Sequence, residues 1–148
     1  MSRQSALDGL GHAIQRYQRS VQAFDDAVGR SLGLGPADLR CLDWLADGPK
    51  TAGQLSAGTG LRPAATTALI DRLVAKGYVR RTRSAQDRRQ VLVEMTPDAQ
   101  TRTWEAYGPL VEEGQHVLEG LSIPEMERMA HYLDRIRELT DRHRERLG

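Results

Sequence analysis

Between Leu7 and Val28 the apolar residues Leu7, Leu10, Ile14, Tyr17, Val21, Phe24 and Val28 fall at alternating steps of three and four. That spacing is an a/d seam carried by one long helix. No other feature constrains the fold as strongly. A second seam, Met126, Met129, Leu133 and Ile136, lies near the other end of the chain. A monomer of 148 residues would struggle to cover two such stripes. They predict that the two ends pack together and against a partner. Leu7, Leu10, Ile14, Met129, Leu133 and Ile136 are then the dimer contacts.

Charge and composition remove several classes of protein. Lys and Arg total 21 against 20 Asp and Glu, a net charge of +1, so the chain is not uniformly basic. Aromatic residues are only 5%, too few for a binding surface of stacked rings. No run approaches the roughly 20 apolar residues of a membrane-spanning helix. The first residues lack the apolar core of a secretory signal. The single cysteine, Cys41, excludes an internal disulfide and points to a reducing, cytoplasmic setting. Because Cys41 sits beside apolar positions, it reads as a buried thiol rather than a redox sensor. His12, His116, His131 and His143 are scattered without metal-site spacing, so neither metal nor cofactor is expected. Gly33-Leu34-Gly35 breaks off at Pro36 and opens no nucleotide loop. No local grouping of nucleophile, base and acid supports an enzyme.

Helix starts are written in local chemistry. Pro36 and Asp38 open one helix ahead of Leu39, Leu42 and Leu45. Thr51 and Gln54, then Ser122 and Glu125, have capping-box spacing. Thr96-Pro97 supplies a hydroxyl cap and a proline at the first helical position. From Val79 to Met95 the period changes to two, which predicts a strand, a polar turn at Ser84–Asp87 and a second strand. The predicted order is long helix, helix, short helix, helix, hairpin and two long helices.

The stretch from Thr51 to Gly77 carries the functional signal. A short helix, a turn containing Gly60, and a longer helix opened by Pro63 make a helix-turn-helix outline. Leu69, Ile70, Leu73 and Val74 are its expected inward face. Arg62, Ala64, Thr66, Thr67 and Ala68 are expected outward, small enough to approach a major groove closely. An ordinary helical hairpin has the same outline, and on this stretch alone the two readings stand level.

The segment that follows shifts the balance. Between Arg80 and Arg89 there are five arginines and one acid, Asp87, a local net charge of +4. A basic hairpin directly after such a helix is a wing, whose tip can reach phosphates or a narrow minor groove. Arg83, Arg88 and Arg89 are its candidate DNA contacts, and Asp87 is expected to brace it by pairing with one of these arginines.

Two motifs then resemble a family. Asp87-Arg88-Arg89, followed after five residues by Met95-Thr96, is similar to the Asp-x-Arg-x5-Leu-Thr signature of the MarR family of winged helix-turn-helix regulators. The run from Leu69 to Val79 resembles that family's L-V-D-R-L-x-x-K-G-L-V segment. The chain departs at three places: Met95 for the signature leucine, Arg62 where a Ser or Thr cap is common, and Ala68 where arginine is frequent. The resemblance implies a mainly α fold with a small β-hairpin wing, flanked by long dimerisation helices. It implies a homodimer on double-stranded DNA, acting as a repressor at a pseudo-palindromic operator. It often implies a small phenolic or other lipophilic effector that weakens the DNA complex. On that reading residues 1–34 are a dimerisation helix, 35–96 the DNA-binding lobe and 97–148 the C-terminal dimerisation helices. His12, Tyr17, Arg40 and Trp44 put polar or aromatic groups near apolar helical positions and are the effector candidates. Asp71 and Arg72 are read equally as structural ion pairs or, for Arg72, as a phosphate contact. The competing reading is a helical ligand- or protein-binding dimer without DNA function. Such a protein would have no reason to keep an unpaired basic tip.

Overall fold

The computed structural model describes residues 1–148. Six helices and one hairpin follow the predicted order: α1 (Arg3–Leu32), α2 (Pro36–Ala46), α3 (Ala52–Thr59), α4 (Pro63–Ala75), β1 (Val79–Arg83), β2 (Val91–Met95), α5 (Pro97–Leu118) and α6 (Ile123–Arg146). The fold is mainly α with a β-hairpin wing. No helix is long and apolar enough to cross a membrane. The chain divides into two compact units, Met1–Ala106 and Tyr107–Gly148.

In the first unit the core is built from α2, α3, α4 and the hairpin. Leu42, Leu45, Leu55, Leu69, Ile70, Leu73, Val93 and Met95 are all buried there. Each buried Leu or Ile contributes about 1.5–3 kcal/mol. Met95 fills the position of the signature leucine with little exposure, as a volume-conserving replacement should. The helices begin where their caps predict. The Asp38 carboxylate accepts from the Gly35 amide at 3.0 Å. Thr51 and Gln54 exchange two bonds, at 3.1 and 2.9 Å. The Thr96 hydroxyl accepts from the Ala99 amide at 3.2 Å and donates to the Gly77 carbonyl at 2.8 Å, tying the start of α5 to the turn after α4.

The two strands pair antiparallel, with Val79 opposite Met95 and Arg83 opposite Val91. Val93 also exchanges backbone bonds with Lys50, which adds a short third edge that the sequence did not announce. On α1 the seam residues Leu7, Leu10 and Tyr17 are exposed, and burial begins only at Val28.

The second unit holds the end of α5 and all of α6. Pro109 lies inside α5 and has no N–H to give the ladder. Ser122 caps α6 through Glu125, whose carboxylate accepts from the Ser122 amide at 2.7 Å. None of the residues of α6 is buried, and Met126, Met129, Leu133 and Ile136 are exposed.

Candidate nucleic-acid interface

The turn between α3 and α4 is set by two glycines for different reasons. Gly60 ends α3 at φ 73°, a left-handed conformation that favours glycine. Gly58 is needed for space, because a Cβ there would meet the Trp44 indole at 2.5 Å. The Ser56 hydroxyl donates to the Leu61 carbonyl at 2.6 Å and holds the far side of the turn. Ser56 therefore acts as a turn brace as well as a small residue between helices.

The inward stripe of α4 is Thr66, Leu69, Ile70 and Leu73, a complete i, i+3, i+4, i+7 set. This corrects two sequence assignments. Thr66 is 1% exposed, and its hydroxyl donates to the Arg62 carbonyl at 3.0 Å, so it faces the core and not a groove. That back-bond satisfies the only polar group a buried threonine brings, which lets it occupy a core position. Val74 is 38% exposed and lies off the stripe. Arg62, Ala64, Thr67 and Ala68 are exposed as expected. Arg62 stands at the N-cap without a side-chain cap bond. The Thr67 hydroxyl donates to the Pro63 carbonyl at 3.1 Å.

The end of α4 is anchored by side chains that reach across the fold. Arg72 donates from two nitrogens to one Asp38 oxygen, at 2.8 and 3.3 Å. Lys76 Nζ donates to the Gly33 carbonyl at 2.8 Å, and the Tyr78 hydroxyl to the Leu32 carbonyl at 3.0 Å. Both acceptors stand at the end of α1, where the final carbonyls lack helical partners. The Arg102 guanidinium lies 4.8 Å from the Tyr78 ring centre, so this one tyrosine joins α1, the hairpin and α5. Asp71 pairs with Arg81 of β1. Of the two readings left open for Asp71 and Arg72, the ion pairs are present.

The wing carries less free charge than its composition indicates. Arg80 pairs with Glu94 at 2.7 Å, and Arg81 is held by Asp71. Arg83, Arg88 and Arg89 remain against Asp87 at the tip. Arg83 Nη1 donates to the Arg88 carbonyl at 3.3 Å. The guanidinium groups of Arg88 and Arg89 make no ion pair and are exposed. Asp87 braces the turn, though not through a guanidinium as expected. Its carboxylate accepts from the Arg89 backbone amide at 3.0 Å, and its backbone carbonyl accepts from the Gln90 amide at 3.0 Å. A short acid reaches an amide two residues on more readily than a mobile guanidinium. Ser84, read in the sequence only as the start of the polar turn, is buried beneath it and accepts from the amides of Gln86 and Asp87, both at 3.3 Å.

The four effector candidates fall into two pairs. Arg40 Nη1 donates to the Thr59 carbonyl at 3.4 Å, and Trp44 packs on Gly58, so both meet the end of α3. His12 and Tyr17 are exposed along α1, Tyr17 at 70%. Cys41 is fully buried, and burial, with the charge of Asp38 adding to it, pushes its thiol up to about 11. At neutral pH it is an unreactive thiol.

A short helix, a tight turn, an anchored second helix and a braced basic hairpin define a winged helix-turn-helix, a DNA-binding architecture. Comparison with known proteins narrows this. Residues 32–90 match the model of the MarR family. The chain is similar to the HTH-type transcriptional regulator YcgE of Bacillus subtilis, with 33% identity over 125 residues, 84% of this chain and 81% of that one. Among solved structures, a MarR family protein from Bacillus stearothermophilus superposes with a TM-score of 0.69 at 20% identity, covering 95% of this chain and 99% of that one. The transcriptional regulator BldR from Sulfolobus solfataricus does so at 0.59 and 27% identity, covering 93% of this chain and 99% of that one. The chain belongs to the MarR family and is a DNA-binding transcriptional regulator.

Proposed function

We propose that the protein is a cytoplasmic homodimeric repressor that binds a pseudo-palindromic duplex operator and responds to a small lipophilic effector. In this reading α4 enters the major groove with Arg62, Ala64 and Thr67 toward the bases. The wing places Arg83, Arg88 and Arg89 along the flanking backbone and minor groove. The observation that carries it is the wing tip: Arg88 and Arg89 stay exposed and unpaired on a turn fixed by Asp87 and Ser84, while Arg80 and Arg81 are neutralised. An unpaired guanidinium carried on a fixed turn suits a narrow, negative groove.

The dimer would form through the exposed seams of α1 and α6, with residues 35–96 as the DNA-binding lobe between them in sequence. An effector seated against Arg40 and Trp44 would press on the end of α3 and so on the α3–α4 turn. His12 and Tyr17 would join such a site only in the assembled dimer. Linkage requires that an effector which weakens DNA binding also binds less well to the DNA complex.

The roles of the wing and of α4 are separable by mutation. Arg89→Ala should weaken binding to all sequences and lower the salt slope by roughly 1 for each phosphate left without its guanidinium. Thr67→Ala should change preference at one position in each half-site, by about 1–3 kcal/mol, with the salt slope nearly constant. Salt titrations of both variants on specific and scrambled duplexes read this out. If Arg89→Ala binds like the parent at every salt concentration, the wing assignment is wrong.

A further inference from the structure

The exposed face of α4 has an unusual chemistry for a surface meant to read bases. Asp71 is taken up by Arg81 and Arg72 by Asp38. Thr66 is buried. Thr67 spends its hydroxyl proton on the Pro63 carbonyl, which leaves its methyl and an oxygen that can only accept. What remains between Pro63 and Asp71 is Ala64, Ala65 and Ala68, all exposed. Beside them, between α3 and α4, lies an open and mainly apolar depression of about 490 Å³, with Ala52, Ala57, Pro63 and Thr67 in its walls. After Arg62, therefore, the side chains of this face offer methyl groups and no free donor.

In the major groove, guanine, adenine and cytosine are told apart by donors and acceptors, and only thymine also presents a methyl group. A surface of methyls cannot match the polar edges, but it can pack against that one. We infer that α4 reads its operator chiefly through the C5-methyl groups of thymine, with Thr67, Ala64 and Ala68 as the specificity-determining residues. The inference rests on the proposed placement of α4 in the major groove. The wing would be blind to this methyl, which projects from the opposite groove.

The test takes the full-length protein and a duplex selected by it from random sequence, remade with deoxyuridine for thymine under the α4 footprint. Each methyl removed should weaken binding about fourfold, with an unchanged salt slope. The same replacement at positions reached only by the wing should leave affinity as it was. 5-Methylcytosine should bind better than cytosine at a sensitive position. Thr67→Val, which keeps a methyl, should preserve the preference for thymine over uracil, whereas Thr67→Ser should reduce it at one position per half-site. Equal binding of the thymine and uracil duplexes by the parent protein would overturn the inference while leaving DNA binding by α4 intact. If no duplex is selected at all, the proposed placement of α4 fails instead.

Discussion

The stripes of α4 and α6 follow the same helical period and meet opposite fates. Thr66, Leu69, Ile70 and Leu73 are almost completely buried. Met126, Met129, Leu133 and Ile136 remain 38–53% exposed. Periodicity therefore specifies which face of a helix is apolar, but not what covers it. The α4 stripe is covered by its own lobe. The α6 stripe, like the start of α1, is exposed, and in the proposed dimer a second copy would cover it.

The largest effect should come from a charge placed in the uncovered stripe. Ile136→Asp is expected to give monomer, unfolded chain or aggregate, read by sedimentation. A well-folded dimer of unchanged affinity would break the contrast, because it would leave α6 with no partner to lose. Leu73→Ala probes the covered stripe and should cost about 2–5 kcal/mol. Denaturant unfolding should show the loss in the lobe while a folded variant keeps its tendency to dimerise. Leu133→Ala, by comparison, should raise the protein concentration below which the dimer dissociates, with the lobe still folded.

Most of the architecture was legible because its signals are local. Pro36, Thr51 with Gln54, Pro63 and Ser122 each mark a helix start within one turn of sequence. The alternation through Val91, Val93 and Met95 gave the second strand directly. The misassigned residues on α4 show the limit of that approach. Threonine is polar in composition, yet its back-bonded hydroxyl makes it acceptable in the core, so the stripe begins at Thr66 and Val74 is left outside. Residues that join distant segments were out of reach. Asp38 and Arg72 lie 34 positions apart, Tyr78 and Leu32 46 apart. The need for Gly58 depends on Trp44 of another helix. The charge of the wing was readable, but its distribution was not, since Asp71 and Glu94 neutralise two arginines from outside the tip.

The smallest effect sharpens the comparison from within the lobe, at Asp43, an exposed side chain of α2 crowded by other acids. Desolvation, followed by the charges of Asp47 and Asp25, raises the Asp43 carboxyl above 3.8. A raised carboxyl binds its proton more tightly in the folded chain, so its contribution to stability is lost as pH rises through that range. At neutral pH the ionised group costs a little. Asp43→Asn should raise the melting temperature slightly at pH 7, and the gain should shrink as pH falls toward 3.8. A gain that is the same at both ends of this range would show that charge is not the cause.

In the proposed assembly two exposed helical faces pair two copies, so that two α4 helices and two wings would meet one duplex. Selection of bound sequences from random duplexes by the intact protein tests it most directly. The expected product is a pseudo-palindrome whose half-sites lie about one helical turn, roughly 10 base pairs, apart. Enrichment of a single asymmetric half-site, or of no sequence, would contradict it.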